Sequence, residues 1–106
     1  GTLGKRQVIE SDTSIVILGN VEPGASVIAK GNIVVVGALY GSAHAGATGN
    51  LDACIAALSM SPRSLRIGDM EIGSRERYGN GFRDQGPGIA AVDGGRIYLD
   101  PLVEQP

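Results

Sequence analysis

His44 and Cys54 are the residues of this chain best suited to act as a base or a nucleophile near neutral pH, and there is one of each. One histidine and one cysteine supply neither a histidine pair nor a histidine–cysteine set for a metal ion, and no internal disulfide can form. Cys54 has no cationic neighbour in sequence, which points to an inert interface thiol in a reducing compartment. The glycines of "GNGFRDQGPG" (residues 79–88) lack the Gly-Lys-Ser/Thr ending of a phosphate loop. The carboxylates Asp12, Glu22 and Asp52 fall on three different faces once the repeat described below is counted, so no two of them flank a substrate. No catalytic, cofactor or metal site is expected, and the chain reads as a binding surface rather than an enzyme.

The elements that would position these residues follow from a period of six. Leu3, Ile9, Ile15, Val21, Val27, Ile33, Leu39, Ala45, Leu51 and Ala57 are all apolar. With 42% apolar residues in the chain, ten in succession arise by chance on the order of 10⁻⁴ of the time for one fixed frame. Choosing the frame and period raises that about tenfold, which the signal survives. From Gly19 to Gly49 the fifth place of each hexad is glycine or alanine, and the sixth, Ala38 apart, holds Ser14, Asn20, Ser26, Asn32, His44 and Asn50. Glycine and asparagine tolerate left-handed backbone angles, so these places read as corners, with His44 a corner residue making local hydrogen bonds.

Short strands joined by small-residue corners describe an all-β parallel β-helix of triangular cross-section, three hexads to a rung of about 18 residues. About three rungs are expected, stacked about 4.8 Å apart. Ile17, Ala29, Val35, Ala47 and Ala53 also point inward, small because the lumen is narrow.

Past Pro62 the rhythm stops. Residues 1–72 are read as the β-helix and residues 73–88, charged and glycine-rich, as a mobile loop. Residues 89–106 are read as a C-terminal hairpin around Asp93-Gly94-Gly95, packing on the coil or on a partner subunit. The whole is one domain of 106 residues, expected to be a fragment of a longer protein since it starts at Gly1. A formal net charge of −2 leaves no basic stripe for nucleic acid. No apolar run is long enough to span a bilayer.

Counting by 18 sorts the outward positions. One side shows Val16, Leu18, Val34, Val36, Asp52 and Cys54, five of six apolar, and reads as a homodimer face, with a folded-back tail as the alternative cover. A second side shows Arg6, Glu22, Tyr40, Ser42, Leu58 and Met60.

The run "IVILGNVEPGASVIAKGNIVVVGALYGSAHAGATGNLDACIAAL" resembles the C-terminal domain of the bacterial septum-site inhibitor MinC. The matching residues are Gly19-Asn20-Val21, Gly24-Ala25, Val27-Ile28-Ala29, Gly31-Asn32-Ile33, Gly37 and His44-Ala45-Gly46-Ala47, within residues 2–68. The resemblance implies a right-handed three-faced β-helix that dimerises through one hydrophobic face. It further implies a cytoplasmic domain that binds the ATP-bound ATPase MinD, reaches the inner membrane face through it, and helps block assembly of the tubulin-like FtsZ. The family's partner motif Arg-Ser-Gly-Gln falls on Gly4-Lys5-Arg6-Gln7, where Gln7 alone matches, and an arginine frequent at Tyr40 or Ser42 is absent. The face carrying Lys5, Arg6, Gln7, Glu22, Tyr40 and Ser42 is therefore the expected partner face with altered chemistry, Lys5 and Arg6 standing in for the lost arginine. Two other readings are a filament protein similar to bactofilins, stacked end to end, and a left-handed hexapeptide-repeat acyltransferase using His44 as base.

Overall fold

Runs of β-branched and small apolar residues cut by glycine, asparagine and proline give ten short strands among the described residues. The computed structural model describes residues 2–73 and 86–102. Most of the expected loop, residues 74–85, lies outside the described residues.

The strands are β1 (Val8–Ser11), β2 (Ile15–Leu18), β3 (Ser26–Ala29), β4 (Ile33–Leu39) and β5 (Ser42–Ala45). They continue as β6 (Ile55–Met60), β7 (Ser64–Ile67), β8 (Met70–Gly73), β9 (Gly88–Asp93) and β10 (Arg96–Pro101). The chain coils so that alternate strands join alternate sheets, in the orders β1-β3-β5-β7-β8 and β10-β9-β6-β4-β2. Pairing is parallel from β1 to β7, as a coil that always climbs in one direction requires. The third side is reduced to the bridges Leu3↔Val21 and Val21↔Leu39. The lumen between the sheets holds Val21, Val27, Ile33, Leu39, Ile55, Met60, Leu65, Ile67 and Leu99, each fully buried. Burying a side chain of this kind stabilises the coil by roughly 1.5–3 kcal/mol.

The 18-residue repeat holds for the first steps, Val8↔Ser26 and Ile15↔Ile33, and then breaks. Ser26 stands beside Ser42, and Ile33 beside Ile55. The second rung turns from Val21 to Ser26 through Glu22-Pro23-Gly24-Ala25, whereas the third goes from Leu39 to Ser42 through Tyr40-Gly41 alone. The opposite corner is longer in the third rung, because residues 46–54 form a loop with its own Gly46–Asn50 turn. Leu51 rides on that loop, 41% exposed, and is not the ninth inward residue of the period. Ile9 and Ile15 are half-buried, since no rung covers the first one.

The asparagine and serine corners work differently from the expectation of left-handed backbone. Among the described residues positive φ is confined to glycines and Arg6. The corner side chains instead replace ladder bonds where the strands bend. Asn20 Oδ1 accepts from Ala38 N at 2.8 Å, Asn32 Oδ1 from Cys54 N at 2.9 Å, and Ser14 Oγ from Asn32 N at 2.8 Å. His44 is not a corner residue: it lies in β5 beside Ile28 and Arg66, and its Nε2 is bonded to Gly68 O at 2.9 Å. Asn20→Ala would leave the buried Ala38 N–H without its acceptor and is expected to cost about 1–2 kcal/mol in urea unfolding, with Asn20→Asp losing less.

The two ends of the coil differ. Among the described residues β1 and β2 are edge strands, while β8 pairs antiparallel with β7, and β9 with β6. β9 and β10 form an antiparallel hairpin turning at residues 93–96. This hairpin extends the β2-β4-β6 sheet sideways and does not fold back over its outer face.

Candidate functional site

Two surfaces stand out, an apolar sheet face and a charged corner. The face is the outside of β2-β4-β6-β9-β10. Val16 and Leu18 are 60% and 66% exposed, and Val34, Val36 and Leu58 are exposed beside them. The register places Val16 next to Val34, Val34 next to Ala56, and Ala56 next to Ile89. Alternation in β9 and β10 then brings Ala91 and Tyr98, paired with each other, to the same side. Five strands thus present one largely apolar surface, with Asp100 opposite Ile89 at its β10 edge, that the described residues leave uncovered.

Sequence counting placed four of these side chains, Val16, Leu18, Val34 and Val36, and misassigned their neighbours. Cys54 stands opposite Asn32 at the corner entering β6, its carbonyl accepting from Ile33 N, so the place beside Val34 belongs to Ala56. Asp52 lies in the loop before β6. Leu58, counted to the other side, belongs to this face, and Met60, counted outward, is fully buried. The six-residue loop surplus before β6 caused each error. The signal that would have found Ala56 and Leu58 is the alternation within "IAALSM", read afresh from Ile55.

The corner is built from turns stacked on successive rungs. Glu22-Pro23-Gly24-Ala25 is a β-turn closed by Ala25 N to Glu22 O at 3.0 Å, with Gly24 at φ +90°. Gly4-Lys5-Arg6-Gln7 is its counterpart one rung earlier, closed by Gln7 N to Gly4 O at 3.1 Å, with Gly4 N also donating to Gln7 Oε1. Arg6 N donates to Gly24 O at 3.1 Å and locks one turn onto the other. Arg6 takes the glycine place of its turn at φ +68°, the one non-glycine residue with positive φ among the described residues. That conformation costs an L-residue roughly 1–2 kcal/mol.

On the third rung Tyr40 N and Gly41 N both donate to Val21 O, at 2.8 and 3.0 Å, and Tyr40 projects outward, 40% exposed. Ser42 begins β5 and faces Ser26 and Ser64 across the adjoining sheet, its Oγ accepting from Ser64 Oγ at 3.0 Å. Lys5, Arg6, Gln7, Glu22 and Tyr40 therefore share the corner, and Ser42 stands at its border. Sequence counting missed Arg63, whose N donates to Gly41 O at 2.9 Å on the fourth rung of the same corner. Among the described residues there is no group of three His, Cys, Asp or Glu that could hold a metal ion. Nor is any helix among them long and apolar enough to cross a membrane.

Comparison with known proteins agrees with this architecture. The model of the septum formation inhibitor MinC, C-terminal domain, matches residues 1–102. A probable septum site-determining protein MinC from Agathobacter rectalis is 40% identical over 112 aligned positions, covering 98% of this chain and 46% of that protein. The Symbiobacterium thermophilum protein of the same name is 43% identical over 105, covering 98% of this chain and 44% of its own length. A chain of the MinC:MinD cell division protein complex of Aquifex aeolicus superimposes with a TM-score of 0.85 at 38% identity, covering 98% of this chain and 83% of that one. The chain spans less than half the length of these curated relatives. A coil with alternate strands in two sheets, an antiparallel C-terminal end and a match along nearly its whole length place this chain in the family of septum formation inhibitor MinC C-terminal domains.

Proposed function

We propose that this chain is the partner-binding module of a cell-division inhibitor and not an enzyme. It pairs with a second copy through the apolar outer face of β2, β4, β6, β9 and β10. It binds the ATP-bound form of a MinD-type ATPase through the corner of Lys5, Arg6, Gln7, Glu22 and Tyr40. The ATPase carries it from the cytoplasm to the inner face of the membrane, and the longer protein then opposes assembly of FtsZ at the wrong site. The observation that carries the reading is the corner itself. Two locked turns present exposed cations and an exposed tyrosine, one cation held in a backbone conformation that favours glycine. Tyrosine and arginine are the residue types that dominate binding hot spots. The relative in the Aquifex complex, of the same fold, is described together with MinD. End-to-end filament growth is disfavoured, because the free parallel edges β1 and β2 at one end face antiparallel strands at the other.

The test is co-sedimentation of the chain with lipid vesicles carrying the ATPase of its own organism, with ATP and with ADP. Recruitment is expected with ATP alone and is expected to fall about fivefold or more in Arg6→Gly and in Tyr40→Ala. Arg6→Gly removes the backbone strain together with the cation, so its melting temperature should rise by a few degrees while recruitment drops. Nucleotide-independent binding, or recruitment indifferent to both substitutions, would refute this use of the corner.

A further inference from the structure

Among the described residues one ion pair forms, Lys30 with Asp12 at 3.4 Å. Among the described residues Lys5, Arg6 and Arg63 form no ion pair, although the chain as a whole is acidic, with a net charge of −2. These three cations are not scattered. The bonds Arg6 N to Gly24 O, Ser42 N to Ala25 O and Arg63 N to Gly41 O stack them on one corner across four rungs. The first and last backbones are thus separated by three rung spacings, about 14 Å along the coil axis. Tyr40 lies between, exposed.

Both arginines are held where their side chains must meet solvent. Arg6 is kept at positive φ by bonds on both sides of its turn. Arg63 follows the buried Pro62, and its N–H is committed to Gly41 O, so its backbone is fixed while its side chain is exposed. Residues held in sparsely populated backbone conformations cluster at functional sites, and Arg6 is one.

We propose that Arg63 is a partner-binding residue, forming with Arg6 a two-guanidinium clamp around Tyr40 that takes carboxylates from an acidic protein surface. This rests on the reading of the corner as the ATPase-binding site and adds to it the residue and the chemistry. Glu22 occupies the second rung of the same corner, half-buried between the arginines. A continuous layer of anionic headgroups would press against that carboxylate. Discrete aspartates or glutamates meeting the two ends of the column avoid it and engage each guanidinium through paired hydrogen bonds.

The experiment is solution binding of the chain to its ATP-loaded MinD-type ATPase without lipid, comparing Arg63→Ala, Arg63→Lys and Lys30→Ala. Lys30 is an exposed cation at the β3–β4 corner, away from both surfaces, and serves as the control. Arg63→Ala is expected to weaken binding about 5- to 30-fold, Arg63→Lys less, and Lys30→Ala not at all, with the difference shrinking as salt rises. Unchanged melting temperatures separate loss of contact from loss of fold. Equal affinity of Arg63→Ala and the parent chain overturns the clamp and leaves the ATPase reading standing. If the parent chain does not bind the ATPase, that reading falls and the clamp with it. Binding to anionic vesicles without the ATPase, abolished by Arg63→Ala, would overturn the clamp in favour of a lipid contact.

Discussion

Replacing Val34 and Val36 together by lysine is expected to turn a dimer into a monomer at every concentration accessible to sedimentation, a loss of at least about 100-fold in association. Both residues sit on β4, with Val16 and Leu18 of β2 to one side and Ala56 and Leu58 of β6 to the other, so they lie within the apolar face. In an isologous pair each substitution appears twice, so four ammonium groups would meet the apolar centre of the partner surface, whose carboxylates Asp93 and Asp100 lie out on β9 and β10. Leaving even one such charge buried and unpaired costs several kcal/mol, more than a small apolar interface can offset. The monomer itself should remain folded, because both side chains project away from the lumen and leave Ile33 and Val35 in place. Cys54→Ser should leave the dimer intact, since Cys54 stands beside Asn32 and not beside Val34. A double-lysine variant that still sediments as a dimer would move the interface elsewhere, and a strong effect of Cys54→Ser would contradict the register.

Gly41→Ala is expected to lower stability by about 3 kcal/mol or more, seen as a fall of ten degrees or more in melting temperature. The third rung takes its corner with only Tyr40 and Gly41 between Leu39 and Ser42, which draws the chain inward over the turn beneath. A Cβ at Gly41 would lie 2.6 Å from Glu22 O and closer still to Ala25 O, both of them backbone atoms. Ala25 O is also the acceptor for Ser42 N, so neither side can yield without breaking the ladder between β3 and β5. Because Gly41 O holds Arg63 N, the same substitution should weaken partner binding even where the coil still forms. By contrast, Gly49→Ala meets no atom within 4 Å, and its cost is confined to the backbone strain of a residue at φ +102°. If Gly41→Ala melts with the parent chain, the close approach of the third rung to the second is wrong.

The coil itself was legible because its cause is local. A β-helix rung needs an apolar side chain facing the lumen at fixed intervals and small residues where the chain bends, and both requirements are written in residue type. They suffice for the inward residues from Leu3 to Leu39 and for four members of the apolar face, Val16, Leu18, Val34 and Val36. They also suffice for placing Arg6, Glu22 and Tyr40 on one corner, because the count of 18 holds between Leu3, Val21 and Leu39.

What the period could not supply is where it stops applying. Two residues lost between Leu39 and Ser42, and six gained between Ala45 and Ile55, shift every later residue against the earlier rungs. No residue type announces the change: Leu51 and Ala57 both keep the six-step phase, yet one is exposed on a loop and the other is buried in β6. Hydrogen bonding across rungs decides which residues are neighbours, and it depends on how much chain each corner holds, a quantity fixed by packing and not by local preference. The C-terminal hairpin shows the same limit. Its alternation was visible, but whether it covered the apolar face or widened it depended on which sheet edge it joined, and pairing with β6 leaves that face open. Sequence alone thus determined a coil with an apolar side and a charged corner. Only the tertiary structure decided that Leu58, Ile89 and Arg63 belong to those surfaces, because stacking brings together residues whose separation in the chain changes from rung to rung.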